Sequence, residues 1–215
     1  AALGTQRVAS DPQRQVEGVL ALWYGNGPGV DRAGDTLRHG NAYGSSPRGG
    51  VLVVAGDDHG CVSSGMPFQS DPAMQAWSMP GQHPANVAEM LEFGLYGWAL
   101  SRFSGAWVGM KAISETVEST ATVDLDALRT RFNAAVDFAP PAGGLHYRLY
   151  DLPGLGIEER LAAKLDAVRA FACANPIDRM VAAAPRAKVG IVTCGKAHLD
   201  LLEALRRLEL PLEAL

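Results

Sequence analysis

Two carboxylates and an imidazole stand in a row at Asp57, Asp58 and His59. Carboxylate oxygens and ring nitrogens ligate divalent metal ions, so a metal-dependent phosphotransferase could use this set. Consecutive residues of an extended chain, however, point their side chains to opposite sides, and Asp57 and Asp58 cannot readily share one ion. The pattern therefore favours one buried, hydrogen-bonded aspartate and one solvated aspartate over a metal site.

Potential nucleophiles follow within a few residues. Cys61 has no evident base near it in the sequence, and Ser63 and Ser64 lack the GxSxG turn that activates a serine. The cysteines, Cys61, Cys173 and Cys194, are odd in number and form no CxxC pair. This usage is typical of a reducing, cytoplasmic compartment, and it indicates neither a disulfide framework nor a zinc or iron–sulfur site in this chain.

Two glycine-rich stretches could bind a ligand through the backbone. The sequence YGNGPGVDRAGD, residues 24–35, leads into a helical pattern whose first N–H groups would face the same space. Its glycines could equally serve only a tight turn. The sequence GIVTCGKA, residues 190–197, has the spacing of a phosphate-binding loop, but Ala197 stands where a serine or threonine would hold Mg²⁺. The second stretch is more typical of a buried strand that turns into a helix.

Apolar runs predict the strands that position these loops. The runs at 19–23, 51–55, 106–113 and 189–193 show no alternation, which is typical of strands that a parallel sheet buries on both faces. Helical patterns separate them, so we predict an α/β fold with a mainly parallel sheet. The candidate residues would then lie in loops at the carboxyl ends of the strands, the usual place for a site in such folds.

The helical patterns are of unequal strength. Residues 30–43 begin acidic and end basic, as a helix dipole favours. Pro84 opens a stronger helix, for which His83 or Asn86 could be the cap. Its apolar face is predicted at Val87, Leu91, Leu95 and Trp98, followed by Arg102. A later helix is marked by Leu161, Leu165, Val168 and Ala172.

Prolines and glycines concentrate at residues 138–156 and interrupt every helical pattern there. We interpret 1–138 as a first domain, 139–186 as a linker with a connecting helix, and 187–215 as the start of a second α/β domain. A single strand and helix cannot bury their own apolar faces, so we expect the second domain to be completed by further chain. The first residues, which carry neither an initiator methionine nor a signal peptide, also read as the interior of a longer protein.

Charge and hydropathy argue against two classes of partner. The formal net charge is −4, and lysine and arginine are scattered without forming a basic stripe, so we expect no nucleic-acid binding. The longest apolar runs are far shorter than the roughly 20 residues that span a membrane, so we expect a soluble chain.

Three long segments, residues 23–71, 91–119 and 186–205, together resemble the fused indolepyruvate:ferredoxin oxidoreductases. These enzymes belong to the thiamine-diphosphate-dependent 2-oxoacid:ferredoxin oxidoreductase family. The resemblance covers nearly the whole chain and rests on long motifs in one order, among them WYGNGPGVDRAGD, GDDHGCVSSGMPFQSD and VGIVTCGKAHLDLLEAL. It implies that the first domain is a partial, three-layer pyrimidine-binding domain, and that residues 187–215 begin a domain similar to the transketolase C-terminal domain.

The same resemblance implies an activity, cofactors and partners. The full-length enzyme would oxidatively decarboxylate a 2-oxo acid, indolepyruvate or another aryl pyruvate, to an acyl-CoA and pass the electrons to ferredoxin. Its cofactors would be thiamine diphosphate with Mg²⁺, in a site shared with other segments, and [4Fe–4S] clusters elsewhere. Its partners would be the remaining domains of the same enzyme, ferredoxin, coenzyme A and a second subunit in a homodimer.

Particular residues acquire roles by similarity. The substrate side of the cleft would be lined by Asp57, Asp58, His59, Ser63, Ser64 and Gln69. The cofactor would lie near Gly27, Pro28, Gly29 and Asp31. The glutamate that activates the cofactor in this family is expected before residue 1, so we expect no catalytic residue, no metal site and no activity in this fragment alone.

Two positions depart from the family pattern, since Phe68 and Arg48 stand where relatives often have histidine. The departure at Phe68 puts a proton-transfer role at that position in doubt. One alternative function stays open at this point: a non-catalytic α/β interaction module that completes a dimer interface.

Overall fold

A parallel sheet of four strands forms the centre of the fold. The computed structural model describes residues 1–133, 137–151, 154–183, 187 and 189–211. The strands lie in the order β1-β2-β4-β3, and every neighbouring pair is parallel. They are β1 (Leu20–Asn26), β2 (Gly50–Asp57), β3 (Gly81–Gln82) and β4 (Val108–Ile113). The predicted α/β class and parallel sheet are confirmed, and so are the strands predicted at 51–55 and 106–113.

Eight α-helices connect and flank the strands in the described parts of the chain. They are α1 (Ala2–Gln6), α2 (Gly27–Arg32), α3 (Gly34–Tyr43), α4 (Asp71–Ala76), α5 (Val87–Ser104), α6 (Ser114–Val117), α7 (Gly156–Ala174) and α8 (Lys196–Arg207). Short 3-10 turns lie at Val8–Ser10 and Leu149–Asp151. The helix predicted at 30–43 is therefore two helices, and Ala33, which caps both, separates them. None of the helices described here is both long and apolar enough to cross a membrane.

Two apolar clusters lie on opposite faces of the sheet. On one face, Val51, Val53 and Ala55 of β2 pack with residues of α2, α3 and α4. On the other face, Leu52 of β2 packs with residues of α5 and α7. Successive strand residues point to opposite faces, so one buried strand serves both clusters. The result is a three-layer α/β arrangement, as predicted.

Strand β1 differs from its prediction because it lies at the edge of the sheet. The sequence predicted a strand buried on both faces, whereas Leu20, Leu22 and Tyr24 are exposed. The alternate residues Ala21 and Trp23 pack against the first apolar cluster. Among the described residues, the face of β1 that carries Leu20, Leu22 and Tyr24 therefore stays exposed.

Helix α5 presents a different face to the sheet from the one predicted. Asn86 caps its first turn by accepting a hydrogen bond from the Glu89 N–H, as expected for one of the two candidates. Leu91 and Leu95 of the predicted apolar face are exposed, however, and the buried residues are Gly94, Tyr96, Gly97, Leu100, Ser101 and Ser104. Small residues on this side allow close packing: a Cβ on Gly97 would lie only 2.7 Å from Leu52 Cδ1. Trp98 of the predicted face packs against the second apolar cluster, so the prediction was wrong at Leu91 and Leu95.

The strand predicted at residues 189–193 is absent. Its residues pair with no strand in the described chain, and Val192 is 98% exposed. An apolar run forms a strand only where a neighbouring strand accepts its backbone hydrogen bonds. Helix α8 follows as predicted.

The proline- and glycine-rich segment packs against the first domain over part of its length. Leu145 is buried, and the Tyr147 N–H donates to the Ser45 carbonyl at 3.0 Å. The next helix, α7, confirms the predicted helix, but its buried residues, Arg160, Lys164, Ala167 and Phe171, lie one position before the predicted apolar set. The proposed division into domains at 138 and 186 stays a prediction.

Candidate functional site

The carboxyl ends of the strands bring polar side chains together at one edge of the sheet. The connections from β1 to β2 and from β2 to β3 carry α2, α3 and α4 on one face, whereas the return from β3 to β4 carries α5 on the other. Where the direction of winding reverses, the loops diverge and leave a crevice outside the strand ends. In this fold the direction of winding reverses at the strands β2, β4 and β3. We call the polar residues near the carboxyl ends of these strands the carboxyl-edge cluster: Asp57, His59, Asp71, His83 and Lys111.

Asp57, the last residue of β2, is wholly buried, and both of its carboxylate oxygens have partners. Its carboxylate accepts hydrogen bonds from the Ser70 N–H at 2.8 Å and from the Ser70 hydroxyl at 2.6 Å. Lys111 Nζ lies 3.6 Å from Asp57 Oδ2 and also pairs with the more exposed Asp71. The buried ammonium thus lies between two carboxylates, which compensates its loss of hydration.

Asp58 organises the loop that follows, and its carboxylate points to other partners than that of Asp57. It accepts hydrogen bonds from the backbone N–H groups of Ser63 at 2.8 Å and Val62 at 2.9 Å. The Ser63 N–H in particular holds the pKa of Asp58 below its ordinary value, with Val62 next in effect. The two aspartates therefore do not converge, as the sequence predicted, but both are buried, so the prediction of one solvated aspartate is wrong.

Two imidazoles of the carboxyl-edge cluster have ring nitrogens without partners. His59 Nδ1 and His83 Nε2 are buried, and neither forms a hydrogen bond with any residue in the described ranges. Burial lowers the pKa of His83, and the nearby Lys111 lowers it further, so its ring is neutral at pH 7. A buried nitrogen without a protein partner is satisfied by water or by a ligand.

The turn before α8 also contacts this cluster. Gly195 lies directly against the His83 ring, where a Cβ would overlap the imidazole, and Cys194 Sγ lies 3.6 Å from His83 Nδ1. Lys196 pairs with Asp200 of its own helix. The stretch with phosphate-loop spacing therefore places its cysteine and glycine on His83.

Other predicted cleft residues lie farther out in the loop after β2. Ser63 and Gln69 are exposed and Ser64 is half-buried. Cys61 adopts a left-handed conformation with φ of 55°, and its thiol contacts the Ser64 carbonyl. The structure brings Asp57 and His59 into the cluster, whereas Ser63 and Ser64 are brought together only with Asp58 and Cys61.

The glycines predicted to lie near the cofactor form the start of α2. Asn26 caps this helix by accepting a hydrogen bond from the Gly29 N–H at 2.9 Å, and Pro28 occupies the first turn. Gly27 is buried beneath the ring of Phe68, and a Cβ at Gly27 would overlap that ring. Asp31 is exposed. The prediction that these residues approach a cofactor stays a prediction, but Phe68 joins their loop to the loop after β2.

Three residues of the cluster were missed by sequence reasoning. Lys111 carried a signal, since it is the only charged residue in the apolar run AWVGMKAI. His83 follows a strand of two residues, and Asp71 opens the short helix α4, so neither has a local pattern that indicates a site.

Within the described ranges, no group of three or more histidine, cysteine or acidic side chains could hold a metal ion. Asp57 and Asp58 are each occupied by other partners, so the arrangement does not favour the metal-dependent phosphotransferase.

Comparison with protein-family models, with curated proteins and with solved structures gave no significant match to this chain.

Proposed function

We propose that this chain is part of a 2-oxoacid:ferredoxin oxidoreductase that acts on an aryl pyruvate, and that its carboxyl-edge cluster forms one wall of the substrate and cofactor cleft. One observation carries the proposal: the ends of three adjacent parallel strands bring Asp57, His59, His83 and Lys111 together where the winding reverses. The resemblance of the sequence motifs to that family supports the choice of reaction.

The cluster has the properties of a wall that holds and orients a ligand. His59 Nδ1 and His83 Nε2 can each form one further hydrogen bond, which fits a carboxylate, a carbonyl oxygen or the ring nitrogens of an aminopyrimidine. Asp57 is tied to Ser70 and Lys111, so it is not free to act as a base. Its role is to fix the positions of its neighbours.

Thiamine diphosphate fits this wall only in part. When bound, it would supply the electron-accepting ring that makes decarboxylation of a 2-oxo acid feasible. His59 and His83 would contribute hydrogen bonds, and the loop at Gly27 would contribute an apolar surface through the Phe68 ring. No free buried carboxylate lies within the described cluster, so proton transfer to the cofactor is assigned to a residue outside it.

The expected partners follow from the proposed reaction. They are ferredoxin, coenzyme A, the other domains of the enzyme and a second subunit, with [4Fe–4S] clusters located outside this chain.

The proposal is tested on the full-length protein with its clusters and thiamine diphosphate loaded. The measurement is reduction of a viologen by indolepyruvate or phenylpyruvate, with and without coenzyme A. We expect reduction that requires both thiamine diphosphate and coenzyme A. Absence of activity with every 2-oxo acid tried, in a preparation whose clusters are intact by absorption spectroscopy, would contradict it.

A second function is favoured by the edge of the sheet. Leu20, Leu22 and Tyr24 of β1 are exposed, and so are Leu91 and Leu95 of α5, the helix that packs against the same face of the sheet. Charged residues, which commonly protect an edge strand from pairing, are absent from β1. A non-catalytic module that completes a dimer interface would use this surface.

Self-association tests the surface, and activity separates the two functions, because the proposed enzyme is also expected to pair with a second subunit. Leu22→Lys should abolish self-association, measured by sedimentation, if this surface forms a dimer interface. His59→Gln should leave self-association unchanged and should reduce activity only if the protein is the proposed enzyme.

A further inference from the structure

Cys194 is the one cysteine in contact with an imidazole among the described residues. Its Sγ lies 3.6 Å from His83 Nδ1, within the range of a hydrogen bond to sulfur, and its side chain is exposed. Cys173 is also exposed but lies near the end of α7 with no imidazole beside it, and the Cys61 thiol contacts only the Ser64 carbonyl. The chain thus contains an internal reference thiol of similar exposure.

The position of Cys194 is fixed by the turn that carries it. Gly195 adopts φ of 58° and lies against the His83 ring, where no larger residue fits. Lys196 then begins the twelve-residue helix α8. The contact of Gly195 with the ring and the start of the helix therefore hold the Cys194 sulfur beside His83.

His83 is in a suitable state to accept a proton. The groups that face it are Lys111 from β4, Asp71 from α4, and His59 and Asp57 at the end of β2. Burial and Lys111 lower its pKa, which favours the neutral ring. A neutral ring with its hydrogen on Nε2 presents a free lone pair at Nδ1, the atom that faces Cys194.

We propose that Cys194 is a covalent modification site for small-molecule disulfides, with His83 as the proton acceptor. The thiol proton passes to His83 Nδ1 as the sulfur attacks one sulfur of the disulfide. A new S–S bond forms to Cys194, the original S–S bond breaks, and the departing thiolate takes the proton from His83. Cys194 is oxidised to the disulfide level, and half of the reagent is reduced to a thiol.

The modification would affect the carboxyl-edge cluster directly. The adduct would lie against His83 and beside the pair formed by Lys111 and Asp71. The proposal itself depends only on the reactivity of a thiol, and it stands or fails independently of the oxidoreductase activity.

The test uses 2,2′-dipyridyl disulfide on the folded protein at pH 7, with mass spectrometry of the peptides that contain Cys61, Cys173 and Cys194. We expect Cys194 to react about a hundredfold faster than Cys173 or more, the low end of what a positioned base contributes. His83→Gln should lower the Cys194 rate to about that of Cys173. His198→Gln is the matched control, because His198 contacts Thr193 in the same turn without contacting the thiol, and it should leave the rate unchanged.

Equal rates at Cys194 and Cys173 in the wild-type protein would overturn the proposal. An unchanged Cys194 rate in a folded His83→Gln variant would overturn it as well. If His83→Gln fails to fold, faster labelling of both Cys61 and Cys173 will reveal it, and the wild-type comparison then decides.

Discussion

Lys111 Nζ lies 3.6 Å from Asp57 Oδ2, and both side chains are almost wholly buried, Asp57 as the last residue of β2 and Lys111 two residues before the end of the neighbouring β4. Asp57 also accepts two hydrogen bonds from Ser70, and Lys111 also pairs with Asp71 at the start of α4. The pair therefore joins β2, β4 and α4 at the place where the candidate site lies. A buried pair of this kind fixes geometry more than it adds net stability.

Removal of the buried carboxylate should destabilise the fold strongly. Asp57→Asn places an amide group among donors from Ser70 and Lys111 and leaves a buried ammonium with a single, more exposed partner. We expect the free energy of unfolding to fall by about 3 kcal/mol, as for other buried pairs that lose one member. Urea denaturation followed by circular dichroism measures the change.

Asp71→Asn is the matched control, because Asp71 contacts the same ammonium but its side chain is 56% exposed. We expect it to cost less than about 1 kcal/mol. Equal losses for the two variants would show that burial does not distinguish the two carboxylates.

The contact between Gly27 and Phe68 should couple the two loops at the carboxyl edge. Gly27→Ala places a methyl group in the space of the Phe68 ring and should cost about 1–3 kcal/mol. In the background of Phe68→Ala the same change should cost much less, and the double-mutant cycle measures this coupling by thermal denaturation. Gly65→Ala in the same loop meets nothing within 4 Å and serves as the control. Additive losses would contradict the contact.

Helix α7 buries two cations beside a single carboxylate. Arg160 pairs with Asp151, and Lys164 donates hydrogen bonds to the carbonyls of Asn41 at 2.8 Å and Ala42 at 2.7 Å. Burial, and then the charge of Arg160, lower the pKa of Lys164 well below its ordinary value of 10.5. Lys164 therefore loses its proton on folding at alkaline pH.

This shift predicts how stability depends on pH. Between the lowered pKa of folded Lys164 and 10.5, the unfolded chain binds one more proton than the folded chain, so stability rises with pH in that window. The free energy of unfolding of the wild type, minus that of Lys164→Met, should rise by up to about 1.4 kcal/mol per pH unit. Urea titrations at several alkaline pH values measure the difference. A difference that is flat or falls would contradict the shift.

The fold class could be predicted because the buried strands are continuous apolar runs. Strands β2 and β4 pack on both faces, and their sequences VLVVA and AWVGMKAI carry that signal with Lys111 as the one charged residue. The cap of α5 was also predictable, since an asparagine before a helical pattern supplies the acceptor that the first turn lacks. The local sequence was therefore sufficient to predict the buried strands and the cap of α5.

The other features of the fold and of the candidate site depend on residues that are distant in the sequence and adjacent only in the folded chain, and a local sequence pattern does not identify them. The sequence VGIVT has the composition of a strand, but no described strand pairs with it. On α5, Gly97 and Ser101 face the sheet because they are small, whereas Leu91 and Leu95 remain exposed. His83 and Cys194 are 111 residues apart in the sequence and meet only in the folded chain.

The central claim is that the carboxyl-edge cluster faces the 2-oxo acid, and the most direct test is kcat/KM of the loaded, full-length enzyme for an aryl pyruvate in the His59→Gln variant. We predict a loss of about tenfold to a hundredfold, because a hydrogen bond to a charged group contributes about 1.5–3 kcal/mol, with an unchanged melting temperature. His39→Gln, on the exposed side of α3, should leave kcat/KM unchanged. Full activity of folded His59→Gln would contradict the claim.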